Sequence, residues 1–166
     1  MTGSSTDFKL LAAQVEALTS ERTHWVATLA NTSALLAQEL GGINWVGFYL
    51  RGDYMDASLP ADELVLGPFQ GKVACTRIAW GKGVCGTAAQ RDRTMRVDDV
   101  HSFAGHIACD AASASEVVVP LHAEGRVVGV LDIDSPLPAR FSKADQAGLE
   151  LVADIVEEAL QNPPTA

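Results

Sequence analysis

The spacing of the apolar residues changes twice along the chain, and this change limits the possible folds more than any other feature. In residues 7–18, 21–40 and 142–160 apolar side chains recur three or four positions apart, which is typical of amphipathic helices. Between residues 43 and 134 the apolar runs are short and rich in β-branched and aromatic residues, which predicts strands. Helices at both ends of a sequential set of strands predict an α+β domain, in which helices pack on one side of a central, mainly antiparallel sheet.

Local signals bound the helices. Ser20 is expected to cap the second one, and Gly41-Gly42 to stop it. Ser142 and Asp145 have the spacing of a capping box at the start of the last helix. We therefore predict helices at 7–18, 21–40, about 84–90 and 142–160.

The strands are bounded by turn residues. Gly67-Pro68 is expected to end the second strand, and Pro120 to place its strand at a sheet edge or at a bulge. Residues 51–61 are interpreted as a loop, and residues 98–115 have no clear period, over a length that is often functional. We predict strands at 43–50, 63–66, 75–80 and 94–97, followed by a hairpin with arms 116–122 and 126–134.

Size and charge favour one soluble domain over several other classes. The 166 residues are expected to form a single domain with tails at 1–6 and 162–166. With 12 basic and 21 acidic residues, the formal net charge is −9, which argues against binding nucleic acid or an anionic membrane surface. No run of 18 apolar residues and no signal-peptide pattern is visible, so we expect a cytoplasmic protein with reduced thiols.

Residues 81–86 (GKGVCG) match the glycine pattern GxGxxG between a predicted strand and a predicted helix. Dinucleotide binding also requires alternating strands and long helices, and that context is missing. The pattern favours a tight strand-to-helix turn with glycines at positive φ.

The three cysteines, Cys75, Cys85 and Cys109, are 10 and 24 positions apart, without the spacing of a zinc site. Each one taken alone is more often a buried, inert residue, and Cys75 in its predicted strand fits that description best. Cys85 opens a predicted helix, where the helix N-terminus can lower a thiol pKa. Cys109 lies in the long loop after His101 and His106, where it could meet a substrate and a second thiol, or form a cysteine–histidine nucleophile pair.

Three acidic residues accompany the long loop. Glu116 begins a predicted strand, and Asp132 and Asp134 lie two apart, which places them on one face of a strand. Such carboxylates often lie at a solvated strand end. The alternative is a ligand pocket in which they bind a cation or donate a proton.

Several segments closely resemble the free methionine-(R)-sulfoxide reductases, single-domain enzymes with a GAF-type fold. The most specific is GHIACD at 105–110 followed by Glu116, which ordinary GAF sensor domains lack. Residues 51–62 look longer than is usual in that family. The other matching segments are NTSALL (31–36), INWVGFYL (43–50), LVLGPFQGKVAC (64–75), GVCGTA (83–88) and GVLDIDSP (129–136).

The resemblance implies roles for the residues singled out above. Cys109 would be the attacking cysteine, Cys85 the principal resolving cysteine and Cys75 an auxiliary thiol. The substrate would be held by the carboxylates of Glu116, Asp132 and Asp134, with Trp45 and Tyr49 as the aromatic wall around its methyl-sulfur end.

The activity implied is a thioredoxin-dependent oxidoreductase reaction of oxidative stress repair, namely reduction of free L-methionine-(R)-sulfoxide. It would pass through a Cys109 sulfenic acid and an intramolecular redox-active disulfide, which thioredoxin or a similar dithiol would reduce. No metal or organic cofactor is implied, and a homodimer is possible. The alternative is a GAF domain that senses a small molecule without catalysis.

Overall fold

The structure, a computed structural model, describes residues 6–21, 24–105 and 111–161. The described helices are α1 (Phe8–Ser20), α2 (Trp25–Glu39), α3 (Gly52–Met55), α4 (Gly83–Arg91) and α5 (Lys143–Leu160). The described strands are β1 (Trp45–Arg51), β2 (Glu63–Gly71), β3 (Arg77–Ala79), β4 (Met95–Val97), β5 (Ser115–Ala123) and β6 (Arg126–Ser135). They form a single sheet in the order β3-β2-β1-β6-β5-β4, and its five strand pairs are all antiparallel. The predicted α+β class and antiparallel sheet are confirmed.

The two faces of the sheet carry different layers because side chains alternate along each strand. On one face, Phe48, Leu121 and Ile133 pack with α1, α2 and α5 in the larger core, so the long helices lie on one side as predicted. On the other face, Tyr49 and Val118 pack with the short helix α4 in a smaller core. The candidate site lies on this second, less covered face.

The helix ends match the predictions except at the junction of α1 and α2. Ser142 and Asp145 form the expected capping box of α5. Helix α2 begins at Trp25, and its N-cap is His24, whose Nδ1 accepts a hydrogen bond from the Val26 backbone. The prediction of Ser20 as cap was wrong because α1 extends to Ser20, whose hydroxyl donates to the Ala17 carbonyl within α1.

Strand β2 continues to Gly71, so the prediction that Gly67-Pro68 ends it was wrong. The pairing of β1 with β2 shifts register there, since Gly47 faces Phe69 whereas Tyr49 faces Leu66. This bulge accommodates the glycine and the proline without ending the strand. Strand β3 begins only at Arg77, so Cys75 lies in the connection before it and not in a strand.

The predicted hairpin is β5–β6, and its turn residues Glu124 and Gly125 have φ of 53° and 74°. Pro120 is not on an edge strand, because β5 pairs with β4 as well as with β6. Its pairing with β4 stops at Val118, and the ladder with β6 is irregular between Leu121 and His122, as a bulge next to the proline predicts.

The two predicted loops contain short elements. Residues 51–61 include α3, and residues 98–115 include a 3-10 turn, Val100–Ser102. Residues 106–110 and the predicted tails, apart from Thr6, lie outside the described residues. Within the described part of the chain, we find no helix that combines the length and the apolar character needed to cross a membrane.

Candidate active site

The three predicted carboxylates meet on one face of the sheet because of the strand register. Glu116 of β5 lies directly opposite Asp134 of β6, and Asp132 is two residues away on the same face. Strand β1 borders this group on the other side, with Trp45 opposite Asp134. Glu116 and Asp132 are each only 6% exposed, so these two carboxylates do not lie at a solvated strand end.

Helix α4 places the thiol of Cys85 against these carboxylates. The Cys85 Sγ lies 3.8 Å from Glu116 Oε1, and the side chain is buried. The turn before α4 has Gly81 and Gly83 at φ 78° and 61°, as the glycine pattern predicted. Gly86 lets the helix approach β3 closely, since a Cβ there would lie 2.5 Å from the Ala79 carbonyl oxygen.

Burial and nearby negative charges raise the pKa of Glu116 and of the Cys85 thiol, and burial raises that of Asp132. Burial, with Asp132 and Asp134 nearby, holds the pKa of Glu116 well above its usual range. Burial raises the pKa of Asp132 to about 6. Burial and the same carboxylates also hold the pKa of the Cys85 thiol well above its usual value, so the expected lowering by the helix N-terminus is not found. The site therefore favours the neutral thiol of Cys85 and the protonated carboxyl group of Glu116.

An aromatic wall closes one side of the carboxylate cluster. Trp45 and Tyr49, alternate residues of β1, stack with ring centroids 5.9 Å apart. Phe69 of β2 stacks on the other side of Trp45, at 5.2 Å and an interplanar angle of 16°. The three rings form an apolar surface beside buried acids, an arrangement suited to a ligand with an apolar end and a cationic or hydrogen-bonding end.

The wall is also hydrogen-bonded to the segment that carries Cys75. The Tyr49 hydroxyl donates to the Cys75 carbonyl at 3.0 Å, and the Trp45 Nε1–H donates to the Lys72 carbonyl at 3.1 Å. Cys75 is partly buried and takes part in a disulfide, whereas Cys85 is a free thiol. Cys109 and His106 lie outside the described residues, so the role of Cys109 as the nucleophile stays a prediction.

Known proteins similar to this chain agree with this arrangement. A family model described as GAF domain matches residues 26–160. The free methionine-R-sulfoxide reductase of Escherichia coli is 56% identical to this chain over 140 residues, which cover 84% of this chain and 80% of that protein. This chain belongs to the free methionine-R-sulfoxide reductase family of GAF domains. The resemblance found in the sequence is thereby confirmed.

Two solved structures of the reductase family are similar over nearly the whole chain. One is the reduced form of the Staphylococcus aureus protein, with a TM-score of 0.87 and 48% identity, covering 96% of this chain and 99% of that one. The other is the Neisseria meningitidis reductase in complex with its substrate, with a TM-score of 0.86 and 43% identity, covering 97% and 95%.

Sequence reasoning missed two features of this reductase-family site. Phe69 was missed because the strand that carries it was expected to end at Leu66; the apolar Phe69 directly after Gly67-Pro68 was the available signal. The hydrogen bonds from the aromatic wall to the Cys75 segment have no sequence signal. The ligand atoms of Cys85, Glu116 and Asp132 lie within 4.8 Å of one another and could hold one metal ion, although thiol-based reduction does not require one.

Proposed function

We propose that this chain reduces free methionine-(R)-sulfoxide to methionine and takes two electrons from a dithiol. The observation that carries the proposal is a cluster of carboxyl groups, two of them buried, beside an aromatic wall, in a chain 56% identical to an enzyme named for this activity. The R configuration and the restriction to the free amino acid come from the names of the relatives.

The site matches the two ends of this substrate. The methyl-sulfur end is apolar and fits against Trp45 and Tyr49. The ammonium group of a free amino acid can pair with the Asp132 and Asp134 carboxylates. A peptide-bound residue has an amide in that place and would leave these carboxylates without a cationic partner, which explains selection for the free amino acid.

Glu116 is our candidate for the proton donor. A sulfoxide sulfur becomes electrophilic when its oxygen is protonated as the bond to sulfur breaks. Burial and the nearby Asp132 and Asp134 raise the pKa of Glu116 and so favour its protonated carboxyl, the form that a general acid requires. Asp132, whose pKa is about 6, is mainly ionised under the same conditions and suits the ammonium better.

The sulfur chemistry then follows in two steps. The Cys109 thiolate attacks the sulfoxide sulfur, methionine leaves, and the oxygen remains on Cys109 as a sulfenic acid. A second thiol attacks that sulfenic sulfur, which forms a disulfide and releases water. We assign this resolving step to Cys75 and not to Cys85, because Cys75 is the cysteine in a disulfide and Cys85 is a buried thiol whose high pKa disfavours attack.

A thioredoxin-type dithiol would restore the reduced enzyme. Thiol–disulfide exchange requires that the reductant reach a sulfur of the disulfide, and Cys75 is partly exposed beside the exposed residues Lys72 and Val73. The cytoplasm, where such dithiols are kept reduced, remains the predicted compartment. The homodimer implied by the resemblance also remains a prediction, and sedimentation analysis would test it.

Thiol mapping by mass spectrometry tests the proposal. The reduced protein is mixed with one equivalent of each sulfoxide epimer, and both methionine release and disulfide formation are measured. We expect one methionine and one Cys75–Cys109 disulfide with the R epimer. Release of no methionine, with unchanged thiols, would instead identify a ligand-sensing GAF domain.

Single-cysteine variants separate the roles of the thiols. Cys109→Ser should release no methionine. Cys75→Ser should release one equivalent and then stop in a thioredoxin-coupled assay. Cys85→Ser is the matched control, and it should keep turning over; arrest of this variant after one equivalent would return the resolving role to Cys85.

A further inference from the structure

Tyr49 belongs to the aromatic wall and also binds the segment that carries Cys75. Its ring stacks on Trp45 in the wall, and its hydroxyl donates to the backbone carbonyl of Cys75 at 3.0 Å. We propose that the Tyr49 hydroxyl is a positioning group for Cys75, which holds this cysteine where it can resolve the sulfenic acid. This inference rests on the proposed function and adds a residue role to it.

The segment that carries Cys75 needs such a support. Residues 72–76 connect β2 to β3 without regular secondary structure, and Val73 within them is 89% exposed. The Trp45 indole holds the carbonyl of Lys72, and the Tyr49 hydroxyl holds the carbonyl of Cys75. Both donors belong to β1, an interior strand of the sheet, so the rigid pocket wall fixes the segment near both of its ends.

The resolving step is sensitive to this placement. A disulfide forms only when the two Cα atoms come within about 4.4–6.8 Å and the Cβ atoms face each other. A thiol that spends less time in that arrangement attacks more slowly, because the reacting atoms must already be close and aligned. The hydroxyl binds the carbonyl of Cys75 itself and therefore restrains the Cα of the residue that must react.

Tyr54, the second tyrosine of the chain, allows a comparison with a hydroxyl that has only a structural role. Tyr54 is partly buried, and its hydroxyl donates to the carbonyl of Leu160 at 2.6 Å, at the end of α5. The two side chains make the same kind of bond, but no cysteine adjoins the acceptor of Tyr54. Tyr54→Phe is therefore a matched control for Tyr49→Phe.

The experiment separates formation of the sulfenic acid from its resolution. Reduced wild type, Tyr49→Phe and Tyr54→Phe are each mixed with one equivalent of methionine-(R)-sulfoxide. Methionine release is followed by chromatography, and the sulfenic acid is trapped at intervals with a cyclic 1,3-diketone and quantified by mass spectrometry. Thermal unfolding of all three proteins shows that they are folded under the assay conditions.

We expect Tyr49→Phe to slow the resolving step more than the first release of methionine, because the variant keeps the ring of the wall and loses only the bond to the Cys75 carbonyl. Its sulfenic acid should persist about fivefold longer, the factor that corresponds to the roughly 1 kcal/mol of an ordinary hydrogen bond. Tyr54→Phe should match the wild type in both measurements.

Equal sulfenic acid lifetimes in all three proteins would overturn the positioning role and leave the proposed function intact. An equal slowing of methionine release and resolution in Tyr49→Phe would also overturn it, since the hydroxyl would then act on the pocket as a whole. Absence of methionine release from the wild type would overturn the proposed function, and the positioning role with it.

Discussion

Replacing Asp132 by asparagine should stabilise the fold while it impairs the substrate pocket. Burial raises the pKa of Asp132 from 3.8 to about 6, so ionising this side chain costs more in the folded protein than in the unfolded chain. One pKa unit corresponds to about 1.4 kcal/mol, and the difference therefore amounts to about 3 kcal/mol at neutral pH. Oδ1 of Asp132 also has no hydrogen-bond partner among the described residues, so no bond to that oxygen offsets this cost.

The raised pKa of Asp132 determines how the free energy of unfolding changes with pH. A carboxyl whose pKa is raised by folding stabilises the protein while it is protonated, and this contribution is lost as the pH rises through the folded pKa. Wild type and Asp132→Asn should therefore have similar free energies of unfolding near pH 4. The variant should gain as the pH rises, and the gain should level off above about pH 7.

Urea unfolding at a series of pH values measures the difference. Asp99→Asn is the control, because hydrogen bonds from the Ser102 hydroxyl and the His101 backbone lower the pKa of Asp99, and removing that charge should not stabilise the protein at any pH. A free-energy difference for Asp132→Asn that is absent, or that does not change between pH 4 and pH 8, would refute the assignment of a desolvated, charged Asp132.

Three further substitutions test other parts of the structure. Partial burial disfavours the charged form of His122, but hydrogen bonds to the carboxylates of Glu157 and Asp92 outweigh this effect and raise the pKa of His122. His122→Gln should therefore lower the urea midpoint of unfolding below about pH 6 and change it little at high pH. Gly86→Ala should push α4 from β3, since its Cβ would lie 2.5 Å from the Ala79 carbonyl oxygen; calorimetry should show a loss of about 1–3 kcal/mol, and coupled assays a lower turnover. Leu149→Ala, in the larger core, should lower the free energy of unfolding by about 2–5 kcal/mol while kcat well below the melting temperature stays unchanged.

The strands and long helices were predictable because their apolar periodicity reflects burial on one side. The alternation of Trp45, Gly47 and Tyr49 with Val46 and Phe48 assigns each residue of β1 to one face, and the structure follows it. Where a local turn signal and strand pairing favoured different structures, strand pairing determined the structure. The sequence Gly67-Pro68 is a strong stop by itself, but the partner strand β1 keeps β2 in place across a bulge.

The chemical state of Cys85 could not be predicted from its position in the chain. The N-terminus of a helix favours a thiolate by roughly 1 kcal/mol when the site is exposed. The side chain of Cys85 is instead buried against Glu116 and Asp132, and both desolvation and three nearby carboxylates oppose a negative charge on sulfur. A local rule failed here because the dominant forces come from strands that are distant in the sequence.

The carboxylate site itself depends on register, which no local pattern contains. Spacing alone shows that Asp132 and Asp134 share a face, but not that Glu116 stands opposite Asp134 or that Trp45 stands on its other side. A slip of one residue between β5 and β6 would turn Glu116 toward the helices and into the larger core, where its burial would cost several kcal/mol. Correct register therefore places the apolar residues of β5 in the core and, by the same alternation, brings the three acids together beneath α4. The apolar pattern that selects the fold thus also assembles the site.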